Sequence, residues 1–402
     1  MAWVVGVGVS GCGQMAGGGL WNVGWGAEDA GDASERAFHM SERKYRIAIV
    51  GTGGIAASHA RAVAALPERA ELVAAVDVDL DRAKEFAAQW NIPATYPSLT
   101  DLLAAGQVDL VHLCTPPNSH VPLAAECLAA DVDVYMEKPP TLSLDEFDAL
   151  VAAEEKSAAQ VACVFQHRFG SGAVRLRELL ADGVLGRPLV ALCNTVWYRD
   201  DAYFAVPWRG TFDVEGGGPT MGHGIHQYDL LLSILGPWEK VTALAARQAR
   251  PTQTEDVSMA LVTFENGAVA SVVNSLVSAR QTSQLRFDCE NATVELEHLY
   301  GYKNPDWTIT PAPGHEEIAT AWSTDLPDVA SGHTAQLAAI LDAKAAGEPT
   351  PVTLAEARNT LELAAAIYAS AFTDKPIRRG ELAHGTPYAQ RMGGPGAPWS
   401  NN

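Results

Sequence analysis

Ala48-Ile49-Val50-Gly51-Thr52-Gly53-Gly54-Ile55-Ala56 is a short β-rich run that breaks into glycines and then opens a helical apolar pattern reaching Leu66. The glycines let backbone approach a pyrophosphate, whose charge is met by the exposed N–H groups and positive dipole of a helix start. Working outward, residues 71–76 read as a second strand, and Asp77 closes it where an acid accepts hydrogen bonds from an adenosine ribose. The spacing predicts a dinucleotide cradle at Gly51, Gly53, Gly54 and Ile55, with Asp77 on the ribose. Val78 follows Asp77, with no arginine immediately after it, so NAD is expected ahead of NADP: a 2′-phosphate would meet a like charge. Arg82, on the next helix, is near enough to reach round.

The same rhythm continues. Residues 80–90 have helical spacing, Ser98 with Asp101 caps the helix carrying Leu102 and Leu103, and residues 108–114 form a buried strand. A helix over 123–130, a strand over 132–136 and a Ser143/Glu146 capping box opening a helix to 157 complete the pattern. Alternation at this pitch predicts an α/β fold: a doubly wound parallel Rossmann sheet over residues 44–165. After residue 164, longer strands follow one another at 189–197, 241–247, 257–264, 268–277, 284–289 and 292–299. Glu265-Asn266-Gly267 is a hairpin turn, because Asn-Gly supplies the positive φ that a tight turn needs. With helices at 172–180, 223–235, 334–346 and 354–372, residues 166–380 read as an α+β domain with a large, mainly antiparallel sheet. Residues 1–43, glycine-rich and without charge as far as Gly26, read as a disordered or misassigned leader with Met40 as the start, and residues 381–402 as a loose tail.

The 402 residues carry 28 Lys and Arg against 48 Asp and Glu, a net charge of −20, with no basic run to reverse it locally. Such a surface repels phosphate backbones, so nucleic acid is not an expected partner. An apolar share of 48% excludes disorder as the main state, and no segment after the leader reaches the length of a membrane span. The six cysteines are scattered without C-x-x-C spacing and read as buried thiols of a reducing, cytoplasmic compartment.

Two further strand ends carry conformationally fixed polar loops: Thr115-Pro116-Pro117-Asn118-Ser119-His120 and Glu137-Lys138-Pro139-Pro140. Ligands of open α/β sheets sit beyond the carboxyl ends of the strands, so both loops are expected to face a nicotinamide. Added to these are Arg168 after the sixth strand and Gly216-Gly217-Gly218 leading to Gly224, His226 and Asp229. In combination the chain resembles the Gfo/Idh/MocA oxidoreductases, the glucose-fructose oxidoreductase and inositol dehydrogenase group, over residues 45 to about 379.

The resemblance implies hydride transfer between a nicotinamide and a secondary hydroxyl of a sugar, glycoside or cyclitol, and an open second-domain sheet that joins subunits, as a homodimer or homotetramer. It places Thr115, Pro116, Asn118, His120, Glu137 and Lys138 on the cofactor, with Lys138 bonding the reacting oxygen and His226 taking the hydroxyl proton. One residue departs from it. The family commonly carries Asp four residues before the histidine, and here that position is Gly222. Three outcomes stay open: Asp229 orients the imidazole, His223 adds a polar contact to substrate, or Lys138 and His226 work alone. His223, His226 and Asp229 have ligand-like spacing but lack a fourth ligand, so no metal is expected. Substrate contacts are expected from Arg168, Tyr198, Trp208, Arg209, His223 and Asp229, since aromatic faces stack on sugar C–H surfaces and arginines grip hydroxyls or carboxylates. The alternatives are a redox glycosidase that retains its NAD, and a non-catalytic NAD-binding sensor on the same fold, the latter prompted by Gly222.

Overall fold

The computed structural model describes residues 44–400; the expected leader, with Met40 and Cys12, lies outside the described residues. Six strands, β1 (Tyr45–Val50), β2 (Ala70–Val76), β3 (Ala94–Tyr96), β4 (Leu110–Leu113), β5 (Asp133–Met136) and β6 (Val161–Cys163), form a parallel sheet in the order β3-β2-β1-β4-β5-β6. Strand alternation sends Ala48 and Val50 into one core with Leu102, Leu128 and Phe147, and Ile47 and Ile49 into two smaller clusters on the opposite face. The crossover helices are α1 (Ala56–Ala64), α2 (Leu80–Trp90), α3 (Leu99–Ala105), α4 (His120–Ala129) and α5 (Leu144–Glu154). Their starts follow the expected chemistry: Ser98 Oγ accepts from the Asp101 N–H and Ser143 Oγ from the Glu146 N–H, both at 3.1 Å. Strand order reverses between β1 and β4, which leaves a crevice beyond their carboxyl ends.

The second sheet has eight strands: β7 (Pro188–Tyr198), β8 (Trp238–Ala246), β9 (Val257–Phe264), β10 (Val269–Ser275), β11 (Val277–Cys289), β12 (Ala292–His298), β13 (Trp307–Pro311) and β14 (Ile377–Arg378). They run in the order β13-β12-β11-β7-β10-β9-β8-β14, antiparallel throughout except for the central β7/β10 pair. The longer helices of this part of the chain are α6 (Ser171–Ala181), α7 (Ile225–Leu235), α8 (His333–Ala346) and α9 (Leu354–Thr373). One face of the sheet packs beneath α7 and α9. The other presents Leu244, Met259, Leu261 and Val269 to solvent, Leu261 at 68% exposure.

Two parts differ from the sequence reading. Helix α8, read as part of the second domain, returns to the first sheet: Leu337, Ile340 and Leu341 pack with Ile47, Tyr135 and Ala162. Leu337, Ile340 and Leu341 are fully buried there, worth ~2 kcal/mol apiece, which holds the apolar face of α8 on this sheet. The tail expected to be loose is packed. Ala389 and Met392 are fully buried, the Trp399 ring lies 5.4 Å from Phe372, and its Nε1 donates to the Gln253 carbonyl at 2.9 Å. Glycine and proline there set an irregular path without removing the apolar side chains that anchor it. Among the described residues, no helix is long and apolar enough to cross a membrane.

Candidate active site

At the end of β1, Gly51 has φ +88°, and a Cβ on it would stand 2.8 Å from Thr115 Cγ2 and 2.9 Å from the Thr115 nitrogen. Only glycine lets the loops after β1 and β4 touch. A Cβ on Gly53 or Gly54 would meet nothing within 4 Å, because both border an open cavity of about 850 Å³ lined also by Ile55, Asp77, Thr115 and Pro116. The α1 start facing it has no side-chain cap, leaving its end available to an anion. This is a cradle that fits a dinucleotide.

Asp77 is buried at the far end of that cavity. Its oxygens accept from the Thr52 N–H and hydroxyl and the Asp79 N–H, each at 2.9 Å. Arg82 reaches round α2 to donate from Nε at 3.0 Å and from Nη2 at 2.5 Å. Burial pushes the carboxyl up, but these donors, Arg82 foremost, hold it at about 2.

The other expected cofactor contacts divide. Thr115 and Pro116 line the cavity. Asn118 does not: the single turn Pro117–Ser119 leaves it exposed, off both cavities. His120 is fully buried and braces the two loops, with Nε2 2.9 Å from the Thr115 carbonyl and Nδ1 3.1 Å from that of Pro139. Glu137 borders an inner cavity, yet its oxygens are already taken. Oε1 lies 3.0 Å from Nε2 of both His59 and His333, and Oε2 accepts from the Lys138 N–H at 3.0 Å. Despite burial, these imidazoles hold Glu137 well below the usual carboxylate range. His59, Glu137 and His333 lie close enough to share a cation, but both imidazoles are already satisfied by the same carboxylate oxygen.

The inner cavity, about 350 Å³, holds Lys138, His223 and His226 together. It shares Ile55, Thr115, Pro117, Trp208 and Arg209 with the larger cavity, so the two adjoin. Lys138 Nζ donates to the Gly222 carbonyl at 3.0 Å. Burial pushes this ammonium below its ordinary value, against the opposing charges of Glu137 and Glu215. His223 arrives on a π-helical turn, Thr220–Gly224, which runs into α7 with His226 in its first turn, in place of the continuous helix expected from 223. Gly224 is obligatory: a Cβ there would lie 1.9 Å from Asn274 Oδ1. Burial first, and then the Lys138 charge, push His223 and His226 well below the ordinary imidazole value, and the Nδ1 of each is buried without a partner.

The wall opposite is aromatic and basic. The Trp197 ring meets His223 edge-on at 5.2 Å, and Tyr203 Oη sits 3.5 Å from His223 Nε2. The Arg199 guanidinium lies 4.9 Å from the Trp197 ring centre, and that of Arg209 lies 3.9 Å from Tyr203 and 4.4 Å from Trp208. Trp208, Arg209 and His223 thus occupy the expected wall, and Trp197, Arg199, Tyr203, Glu215 and Tyr300 join it. Tyr198 does not. Alternation along β7 turns it outward, where the Arg250 guanidinium covers it at 5.3 Å.

Arg168 and Asp229 are also displaced from their expected role. They form a buried, two-pronged ion pair, Nη2–Oδ1 2.6 Å and Nε–Oδ2 2.8 Å. Thr360 Oγ1 donates to Asp229 at 2.7 Å, and Arg168 Nη1 reaches Glu356 at 2.9 Å. Asp229 lies on the helix of His226 but is consumed by Arg168 and α9, so it neither orients the imidazole nor reaches the cavity.

Two family models match the chain: an oxidoreductase family model of NAD-binding Rossmann fold over residues 45–165, and the GFO/IDH/MocA C-terminal domain over residues 173–295. D-glucoside 3-dehydrogenase of Escherichia coli K12 is 26% identical over 359 residues, spanning 83% of this chain and 97% of that protein. Myo-inositol 2-dehydrogenase of Thermotoga maritima is 27% identical over 235 residues, 57% of this chain and 68% of its own. Among solved structures, the WlbA dehydrogenase of Bordetella pertussis in complex with NADH and UDP-GlcNAcA superposes with a TM-score of 0.75 at 27% identity, covering 84% of this chain and 98% of that one.

Proposed function

The chain belongs to the Gfo/Idh/MocA family of NAD(P)-dependent oxidoreductases, and from that premise we propose that it oxidises a secondary hydroxyl of a pyranose, glycoside or cyclitol, with NAD as its cofactor. The observation that carries this reading is that the aromatic-walled cavity holding Lys138 and His226 adjoins the glycine-lined one, sharing Ile55, Thr115, Pro117, Trp208 and Arg209 with it.

The cofactor, when bound, supplies the hydride acceptor. Gly51, Gly53 and Gly54 hold its pyrophosphate, and Asp77 its adenosine ribose. With Arg82 neutralised by Asp77, little positive charge is left for a 2′-phosphate, which supports NAD. In the inner cavity the Lys138 ammonium donates to the reacting oxygen. His226, kept neutral by burial, takes the hydroxyl proton on an imidazole nitrogen as the C–H bond breaks. The nearby ammonium stabilises the negative charge that develops on that oxygen. Trp197, Tyr203 and Trp208 offer faces for a sugar ring, and Arg199 offers a guanidinium for its polar edge. The names of the relatives, a glucoside dehydrogenase and an inositol dehydrogenase, and the UDP-GlcNAcA held by the WlbA dehydrogenase support a cyclic polyol substrate. Self-association fits the outer face of the second sheet, where Leu244, Met259, Leu261 and Val269 lie bare.

A screen of glycosides, free pyranoses and inositols with NAD and NADP, read at the NADH absorbance band, tests the proposal. Reduction of NAD by at least one cyclic polyol is expected. Release of a leaving group without net NADH transfers the reading to a redox glycosidase, and no turnover in either format overturns it.

A further inference from the structure

The position where the family resemblance leads one to expect an acid is Gly222, and the structure shows what stands beside it. A Cβ built on Gly222 would find only one atom within 4 Å, Oε1 of Glu215, at 3.8 Å. Glu215 reaches the same inner cavity as Lys138 and His226 although it lies seven residues earlier, before the glycine run. It is 8% exposed and rigidly held: Oε2 accepts from the Gly210 N–H at 2.7 Å and Oε1 from Arg209 Nη1 at 3.0 Å. Lys138 Nζ is fixed on the carbonyl of Gly222 itself, so ammonium and carboxylate flank one residue.

We propose that Glu215 supplies the carboxylate absent at position 222, serving as a positioning residue that keeps Lys138 charged and aimed at the reacting oxygen. The Gly210 N–H and Arg209 hold the acid in the cavity wall, and its negative charge offsets the desolvation of the buried lysine. A glycine at 222 then makes room for the acid to approach from another direction. The charged groups acting on Lys138 are Glu137, Glu215 and Arg209, and the lysine in turn acts on His223 and His226. Glu137 is tied to two imidazoles and a backbone N–H behind the lysine, whereas Glu215 lies beside Gly222, the residue that holds Nζ; burial pushes the Glu215 carboxyl up, against the Gly210 N–H and the charges of Arg209 and Lys138.

This inference rests on the dehydrogenase reading, so its test has two arms. The first needs no substrate: the pH dependence of Lys138 modification by trinitrobenzenesulfonate, read by peptide mass spectrometry in wild type, Glu215→Gln and Glu215→Gln/Gly222→Asp. Losing Glu215 should lower the midpoint, because desolvation is then less opposed, and the acid restored at 222 should raise it again. The second arm is turnover on a substrate from the screen. Glu215→Gln is expected to lower kcat by ~10²-fold, with NADH affinity and melting temperature unchanged. The double variant should recover to within about tenfold of wild type, since an Asp side chain fits the open space at 222. A Lys138 midpoint that stays put in Glu215→Gln overturns the proposal, as does kcat within twofold of wild type. Should the screen find no substrate, the dehydrogenase reading fails, while the lysine titration still decides the role of Glu215.

Discussion

Replacing Asp229 by asparagine separates the two roles open to it, substrate or imidazole contact versus structural clamp. The carboxylate is fully buried, accepts two hydrogen bonds from Arg168 and one from Thr360, and Arg168 is itself only 8% exposed. Burial works against the guanidinium charge, but Asp229 first and Glu356 second outweigh it and raise Arg168 above its ordinary value. Removing one member of a buried pair costs ~3 to 5 kcal/mol, because the remaining charge stays desolvated. Glu356 remains as a second partner but its side chain is 48% exposed, so the lower end, ~3 kcal/mol, is expected. For a chain of this size that corresponds to a melting temperature lower by roughly 4 °C. The assay is thermal unfolding beside steady-state kinetics, with Arg168→Met/Asp229→Leu as the control that removes both charges. The double variant should regain most of the lost stability, since replacing both partners by apolar groups leaves no orphan charge. The reasoning is refuted if Asp229→Asn melts with wild type but loses kcat, which would return Asp229 to the catalytic group.

His226→Ala should lower kcat by ~10²- to 10⁴-fold at neutral pH while NADH affinity holds; near wild-type turnover removes the imidazole from the proton step. In the wild type the neutral imidazole is the active form and its value is depressed. The acid limb of the kcat profile should therefore break below the ordinary histidine value, and a break at or above ~6.5 would contradict the buried, neutral reading. Asp77→Ser with Val78→Arg should move the ratio of kcat/KM toward NADP, because it removes the acid facing the ribose and frees Arg82; an unmoved ratio refutes the ribose assignment. Gly51→Ala places a methyl group 2.8 Å from Thr115 Cγ2 on a backbone at φ +88° and adds ~1 to 2 kcal/mol of left-handed strain. Quenching of NADH fluorescence should show binding weakened at least tenfold, and unchanged affinity would mean that this loop contact does not shape the cradle.

What the sequence disclosed tracks how local each signal is. The first sheet was legible because β1 runs straight into its glycine turn, β2 runs straight into Asp77, and the helix between them keeps a short period. β3 and β14, at three and two residues, are too short to show a period, and β13 sits at an edge after a loop. Lys138 and His226 were legible from their loops, but the facing of β7 was not. A strand has period two, so without its partner the choice between Trp197 and Tyr198 as the inward residue is undetermined, and one step of register exchanges them. Arg168 and Asp229 misled for a different reason. A charged residue beside a motif reads as a ligand, and only the fold shows that two such residues 61 positions apart neutralise each other. Glu215 was missed because an acid was sought at Gly222 itself, whereas a carboxylate can reach one point in a cavity from several places on the chain. His59 and His112 did leave a signal, each a lone imidazole within an apolar run, but their link to Glu137 needed the third dimension.

These corrections converge on how the lysine is held. Its backbone N–H is fixed by Glu137 Oε2, and the other Glu137 oxygen is shared by His59 from α1 and His333 from the start of α8. Its Nζ is fixed by the carbonyl of Gly222, on the turn that carries His223 and runs into the helix of His226. Helix α8 belongs by sequence to the second half of the chain, yet it is seated on the first sheet, where Gln336 also accepts from Tyr135 and Phe165 and donates to the Cys163 carbonyl. The lysine therefore sits where both halves of the chain make polar contacts on a single loop. In the proposed mechanism the lysine has to meet the reacting oxygen to within about half an ångström while the imidazole proposed to take the proton rides on the other half of the chain, so anchoring from one sheet alone would leave their spacing loose. The return of α8 and the buried imidazole–carboxylate bonds remove that freedom, which gives a physical reason for placing costly buried polar groups directly behind the lysine.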